Sequence, residues 1–239
     1  MNGGERPLIL AIDTATLCCS VALTAGDQDR GRILAHLTLC STVTHSRRLL
    51  TMIERLLAET AVTWAMLDGI AVSIGPGSFT GLRIGLATAK GLACAAAKPL
   101  LGVSTLTCLA SVCSTSRLIC AVLDARKKEV YAGFFRSDEE GRVRQIGKFV
   151  VISPEQLVEA IKEPVYMTGD ALAVYGEYWR QVFGKRLATA PGQLRLPSAA
   201  SLGLLAAEQL QAGKTLDIAS ASPLYVRASD AELNLLRKA

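Results

Sequence analysis

Apolar residues crowd positions 8–12 and recur more loosely over 19–25, with the polar cluster Asp13-Thr14-Ala15-Thr16 between them. That pattern predicts a β-hairpin. Over 33–39 the apolar positions alternate (Ile33, Ala35, Leu37, Leu39), which predicts a third consecutive antiparallel strand. From Ser46 the period lengthens: Leu49, Leu50, Ile53, Leu56 and Leu57 share one face of an amphipathic helix that ends near Thr60. A short apolar strand over 69–74, the turn Gly75-Pro76-Gly77-Ser78, a helix over 82–97 and a strand over 98–103 follow.

The plan then repeats. Residues 117–124, 130–135 and 144–152 read as strands joined by polar turns at Arg126-Lys127-Lys128 and Asp138-Glu139-Glu140-Gly141. Ser153-Pro154-Glu155 supplies a helix N-cap with proline at the first helical position. A strand over 165–168, a helix over 171–183 and a helix over 198–212 closed by Gly213 come after it. The order β-β-β-α-β-α-β is that of an actin-like (ASKHA) half domain. Its recurrence predicts an α/β fold of two similar halves, each a mixed sheet with helices, over 1–103 and 104–239. Which half receives the helix at 198–212 stays open.

Composition narrows the classes. With 239 residues, 50% of them hydrophobic and 20% charged, the chain can bury a core without metal or disulfide support. No apolar run is long enough to span a bilayer, and the first residues lack a signal-peptide pattern, so cytoplasmic residence is expected. Seven cysteines without a Cys-x-x-Cys pair, most with apolar neighbours, read as buried thiols in a reducing compartment. A net charge of +5 without a long basic run permits contact with RNA, but 5% aromatic residues give no evident stacking platform.

Candidate chemistry is sparse. Gly81, Gly85, Ala89, Ala93 and Ala97 place a small residue at every fourth position of the second helix, which suits close packing on the chain's own sheet or on a helix of another subunit. The run from Gly75 to Arg83 lacks the Gly-Lys-Ser/Thr ending of a phosphate-binding loop, although Arg83 could meet an anion. Asp13 with Thr14, and Asp124 in the equivalent hairpin of the second half, stand where actin-fold proteins place carboxylates near nucleotide phosphates; Asp and Thr are also ordinary turn formers. The two histidines, His36 in a strand and His45 before the first helix, do not form a local metal pair.

Three segments resemble the bacterial TsaB family: Ile9-Leu10-Ala11-Ile12-Asp13-Thr14-Ala15-Thr16, His45-Ser46-Arg47-Arg48-Leu49-Leu50 and, most specifically, Gly75-Pro76-Gly77-Ser78-Phe79-Thr80-Gly81-Leu82-Arg83-Ile84-Gly85. Lys98-Pro99-Leu100-Leu101-Gly102-Val103-Ser104, Asp124-Ala125-Arg126-Lys127-Lys128-Glu129-Val130-Tyr131 and Pro223-Leu224-Tyr225-Val226-Arg227 extend the resemblance nearly end to end. It implies likeness to the catalytic protein TsaD, which binds metal through two histidines whose counterparts here are Thr105 and Leu109. A leucine offers no donor. The resemblance therefore implies a non-catalytic platform, with no cofactor or metal of its own, that supports TsaD together with the ATPase TsaE.

That system transfers threonylcarbamoyl from its adenylate to N6 of an adenosine beside the anticodon of tRNA, which this chain would meet through the complex. Family members join TsaD, or one another when TsaD is absent, through the two helices of the first half. The implied contact set is His45, Leu49, Leu50, Ile53, Gly81, Arg83, Gly85, Leu86, Ala89, Lys90 and Ala93. One departure concerns charge: Arg47-Arg48 stand where the family often has a carboxylate after His-Ser. Two rivals come from other classes, a metal-independent hydrolase of the glycoprotease-like type and a small-molecule kinase of the same fold. The first lacks a Gly-x-Ser-x-Gly elbow. For the second, the latter half is short for an adenosine pocket.

Overall fold

The structure, a computed structural model, describes residues 6–40 and 45–226. The tail expected to be helical or frayed beyond Ser229 lies outside the described residues.

Three antiparallel strands, β1 (Leu8–Asp13), β2 (Cys18–Ala25) and β3 (Arg32–Cys40), begin the first unit. The chain continues through a 3-10 turn (His45–Arg47), α1 (Leu49–Thr60), β4 (Gly69–Gly75), α2 (Phe79–Ala95), β5 (Leu100–Ser104) and the short α3 (Thr105–Ala110). Strand order is β3-β2-β1-β4-β5, with β1, β4 and β5 parallel. The second unit runs β6 (Leu118–Arg126), β7 (Glu129–Ser137), β8 (Val143–Ile152), α4 (Pro154–Ala160), β9 (Val165–Thr168), α5 (Leu172–Phe183) and β10 (Leu187–Thr189). Its order, β10-β9-β6-β7-β8, repeats the first: an antiparallel meander whose first strand pairs in parallel with the strand after a helix. The fold is α/β, two mixed five-stranded sheets with helices, as the repeated pattern predicts.

Period-two alternation sorts each strand's side chains to two faces. In the first sheet Leu10, Ile12, Val21, Leu23, Ile70 and Val72 pack under α1 and α2. Ile9, Ala11, Ala22, Ala71, Leu101 and Val103 face the other way, under α6 (Ala199–Gln211). That placement sets the division of the chain. One compact unit comprises 1–108 with 197–223, and the other comprises 109–196 with 224–239. A cut after Val103 would hand α6 to the second half, whereas its Ala and Gly face lies on β1, β2, β4 and β5 of the first. At Gly203 an added Cβ would sit 2.4 Å from Thr24 Oγ1, so only glycine lets the helix come this close. In the second unit the expected cap of α4 is present as a full capping box between Ser153 and Gln156. Trp179 of α5, fully buried, donates from Nε1 to Pro154 O at 3.3 Å and fastens α5 to that cap.

Two sequence expectations need correction. Cys18 and Cys40 are joined in a disulfide rather than free, because they are the last partners of the β2–β3 ladder, with Cα atoms 4.1 Å apart. Of the others, Cys19, Cys108, Cys113 and Cys120 are buried, but Cys94 is exposed on α2. The second correction concerns the small-residue stripe of α2, which rests on the chain's own turn and sheet. Ala89 and Ala93 are fully buried. A Cβ at Gly81 would lie 2.0 Å from Thr14 O, and one at Gly85 2.2 Å from Thr14 Oγ1.

Gly91, on the same helix, has nothing within 4 Å of where a Cβ would stand. The two glycines should therefore respond to alanine with opposite signs in thermal or urea melts. Gly85→Ala is expected to cost about 1–3 kcal/mol through overpacking against Thr14. Gly91→Ala is expected to gain about 0.5–1 kcal/mol from helix propensity.

Candidate functional site

The turn between β1 and β2 is pressed against the start of α2. Thr14 Oγ1 donates to Gly81 O at 2.7 Å, Ser78 N–H donates to Ala15 O at 2.7 Å, and Ser78 Oγ caps α2 by accepting from Gly81 N–H. His45 reaches the same turn, its Nε2 lying 3.0 Å from Thr16 O. Thr14 is thus fully buried and fully used by its own chain.

Asp13, also buried, accepts from Ala15 N–H through Oδ1 at 3.2 Å, while Oδ2 has no hydrogen bond of good geometry and the Ser73 hydroxyl stands near the carboxyl. Burial pushes its carboxyl up to about 6, with the Ala15 amide and the Ser73 hydroxyl pulling only weakly the other way. Asp124 differs. Its Oδ1 accepts from Arg126 N–H at 2.9 Å, its Oδ2 lies 3.3 Å from Arg126 Nη1, and its own N–H donates to Asp170 Oδ1 at 2.9 Å. Sequence reasoning missed Asp170, which Gly169 positions by adopting a φ of +124° directly over the Val122 carbonyl. Burial raises the Asp170 carboxyl, and the neighbouring Asp124 charge adds to that. Each carboxylate is held in a backbone turn of its own unit.

Of the expected contact residues, Leu49, Ile53, Gly81, Leu86, Ala89 and Ala93 are buried beneath the helices, as is Gly85. Lys90 is occupied by its own chain, donating from Nζ to Ala219 O at 3.2 Å and Ala221 O at 3.0 Å. Leu50 is 52% exposed, and Arg83 is exposed with its guanidinium 3.8 Å from the centre of the Phe79 ring. Of the outward face of α2, the expected set included Arg83 alone. Thr80, Arg83, Ala87, Gly91, Cys94 and Ala95 are all exposed there, a surface with little side-chain volume beyond Arg83. The 3-10 turn carrying Arg47 packs beside this helix.

Thr105 opens α3, its Oγ1 buried without a partner, and Leu109 is buried further along the same helix. Among the described residues no group of three or more His, Cys, Asp or Glu could hold a metal ion. His36 Nε2 lies 2.9 Å from both Ser20 Oγ and Thr38 Oγ1, and burial lowers its pKa. This Ser–His contact is not arranged for attack: Ser20 is fully buried and its Oγ also accepts from Ala199 N–H, fixing the start of α6. No helix among the described residues is long and apolar enough to cross a membrane.

Two units with the same mixed-sheet topology define the class. The chain is an actin-like protein related to TsaD, and residues 39–235 match the family model described as "TsaD: tRNA N6-adenosine threonylcarbamoyltransferase". It is 35% identical over 226 residues to the Escherichia coli "tRNA threonylcarbamoyladenosine biosynthesis protein TsaB", covering 92% of this chain and 94% of that one. YeaZ from Pseudomonas aeruginosa superposes with a TM-score of 0.76 at 31% identity over 92% of this chain and 99% of that one. A second structure, described as similar to the peptidase YEAZ from the same organism, gives 0.75 at 31% identity over 92% of this chain and all of that one. The chain belongs to the TsaB family.

The buried carboxyl of Asp13 carries a pH signature. Its protonated form suits the folded chain better than its ionised form. The stability it contributes is therefore complete below about pH 4, falls between about 4 and 6, and is lost above about 6. At neutral pH the difference is roughly 3 kcal/mol. Asp13→Asn, which keeps the Ala15 contact, should raise the melting temperature at pH 7–8 and leave it unchanged near pH 4 in calorimetry.

Proposed function

We propose that this chain is the non-catalytic subunit that works with TsaD and TsaE in forming the threonylcarbamoyl group on N6 of an adenosine beside the anticodon of tRNA. The observation that carries this reading is its 35% identity, across 92% of the chain, to a protein named for threonylcarbamoyladenosine biosynthesis. The residues at the TsaD histidine positions support the non-catalytic part, since Leu109 offers no metal donor and Thr105 a poor one. TsaD meets this chain on the outward side of α2 and the start of α1, and a second copy takes that place when TsaD is absent. The face is suited to a close helix crossing, because Ala87, Gly91 and Ala95 keep side chains from holding the axes apart. Arg47 and Arg83 add positive charge and favour an acidic edge on the partner.

The experiment is reconstitution with TsaD, TsaE, threonylcarbamoyl adenylate and tRNA. Transfer should require this chain, and the chain alone should give none; transfer by the isolated chain would overturn the non-catalytic reading. Assembly has its own variant. Gly91→Leu adds volume where nothing of the chain itself stands, so folding should survive in circular dichroism melts. Affinity for TsaD in co-elution should weaken by about 1–3 kcal/mol, roughly five- to a hundred-and-fifty-fold. The thiol of Cys94, exposed on the free chain, should alkylate more slowly in the complex. Unchanged affinity and unchanged alkylation would place the contact elsewhere.

A further inference from the structure

We infer that Cys18 and Cys40 form a reversible, redox-responsive staple that closes the free end of the edge strand β3 and steadies the approach to α1. The two residues are directly paired in register at the end of the β2–β3 ladder, and their sulfurs are bonded. They differ in access: Cys18 is 3% exposed, whereas Cys40 lies on the exposed edge of the sheet. A reagent can therefore reach one sulfur of the pair, and a bond so placed can be made and broken in the folded chain.

Around the pair, every element concerns the first unit's edge. Ser20, Thr38 and His36 continue the same row one step into the sheet, and Ser20 Oγ holds the first amide of α6. Cys18 N–H donates to Thr16 Oγ1, and the next atom group on that residue, Thr16 O, meets the ring of His45. His45 stands only five positions after Cys40. The bond thus ties together the end of β3 and the turn on which the entry to α1 is anchored. Without it, β3 is held at this end by backbone pairing with a single strand and by the Ser20–Thr38 and Ser20–His36 hydrogen bonds to that same strand, since it lies at the sheet's edge.

The remaining thiols do not compete. Cys19 faces the opposite side of β2 in the core under α1, and burial pushes its thiol up to about 11, as it does that of Cys113. Cys108 and Cys120 are buried and raised further. Cys94, exposed on α2, belongs to a different surface.

The chemistry is thiol–disulfide exchange with a small-molecule disulfide such as oxidised glutathione. The Cys40 thiolate attacks one sulfur of the small disulfide, giving a mixed disulfide at Cys40 and releasing one small thiolate. The Cys18 thiolate then attacks the Cys40 sulfur, forming the Cys18–Cys40 bond and releasing the second small thiolate. The protein dithiol gives up two electrons and two protons, and the small disulfide becomes two thiols; excess small thiol reverses both steps.

The test uses the full chain carrying Cys94→Ser, equilibrated across ratios of reduced to oxidised glutathione, alkylated, and digested without reductant for mass spectrometry. One linked peptide pair, joining the segments that hold Cys18 and Cys40, should appear and disappear reversibly with the ratio. Closing a loop of this length in the unfolded chain should raise the melting temperature of the oxidised form by about 5–10 °C. Hydrogen exchange over 37–40 should speed up at least about tenfold on reduction while the β1–β4–β5 core stays protected. Cys18→Ser with Cys40→Ser should melt alike in oxidising and reducing buffer. A link to any other cysteine, full reactivity of both thiols at every ratio, or melting and exchange that ignore the redox state would overturn the inference.

Discussion

The contact between the β1–β2 turn and the first two turns of α2 is the constraint on which the first unit depends. Thr14 donates to Gly81 O, Ala15 O receives the Ser78 amide, and the turn lies where side chains at positions 77, 81 and 85 would otherwise be, its backbone at 77 and 81 and the Thr14 hydroxyl at 85. Three glycines make that approach possible. Once the turn is seated, the start and rotation of α2 are settled, because the helix cannot roll without driving a Cβ into Thr14. The rotation in turn decides which residues of α2 meet water, and so puts Ala87, Gly91 and Cys94 outside. Seating the turn also removes Asp13 from solvent, which is why its carboxyl titrates so far from a surface aspartate.

The repeated topology shows that one hairpin plan can serve two electrostatic ends. In the first unit the carboxylate at the end of the leading strand is sealed in and left with an unpaired oxygen. In the second, Asp124 stands partly open, with an arginine two residues on and a second aspartate behind it. The β6–β7 turn also passes through three successive non-glycine residues with positive φ, Arg126, Lys127 and Lys128, at 61°, 54° and 61°. Left-handed backbone at such residues is uncommon and costs on the order of a kcal/mol each, so the ladder on either side must hold it in place.

Most of the fold was legible in the chain because the period changes were clean. Alternation at Ile33, Ala35, Leu37 and Leu39, the four-residue rhythm from Leu49 to Leu57, and Ser153 ahead of Pro154 each led to an element that is present. The short α3 was not legible: Thr-Leu-Thr-Cys-Leu-Ala is apolar or β-branched throughout and has no contrasting face. The three-residue β10 leaves too little pattern to read. At the candidate site the limit was rotational. Helix α2 carries small residues on both sides, Gly81, Gly85, Ala89 and Ala93 on one and Ala87, Gly91, Cys94 and Ala95 on the other, so periodicity located the helix without saying which side faced inward. Cys18 and Cys40 are 22 positions apart, and only the strand register brings them together.

Helix α6 bears on how the protein comes into being. It covers one whole face of the first sheet, its amide is held by Ser20, and the segment after it pairs Leu216 with Leu100. Yet it is encoded after everything in the second unit. On the ribosome, the first sheet emerges early with an uncovered apolar face made of Ile9, Ala11, Ala22, Ala71 and Leu101, and it must wait through nearly ninety further residues for its cover. The second sheet, with all its strands and both helices that cover it between 118 and 189, has no such wait. In the order of synthesis the sheet made first is therefore the sheet covered last, and the nascent chain carries a sticky half-built sheet that chaperones have time to meet.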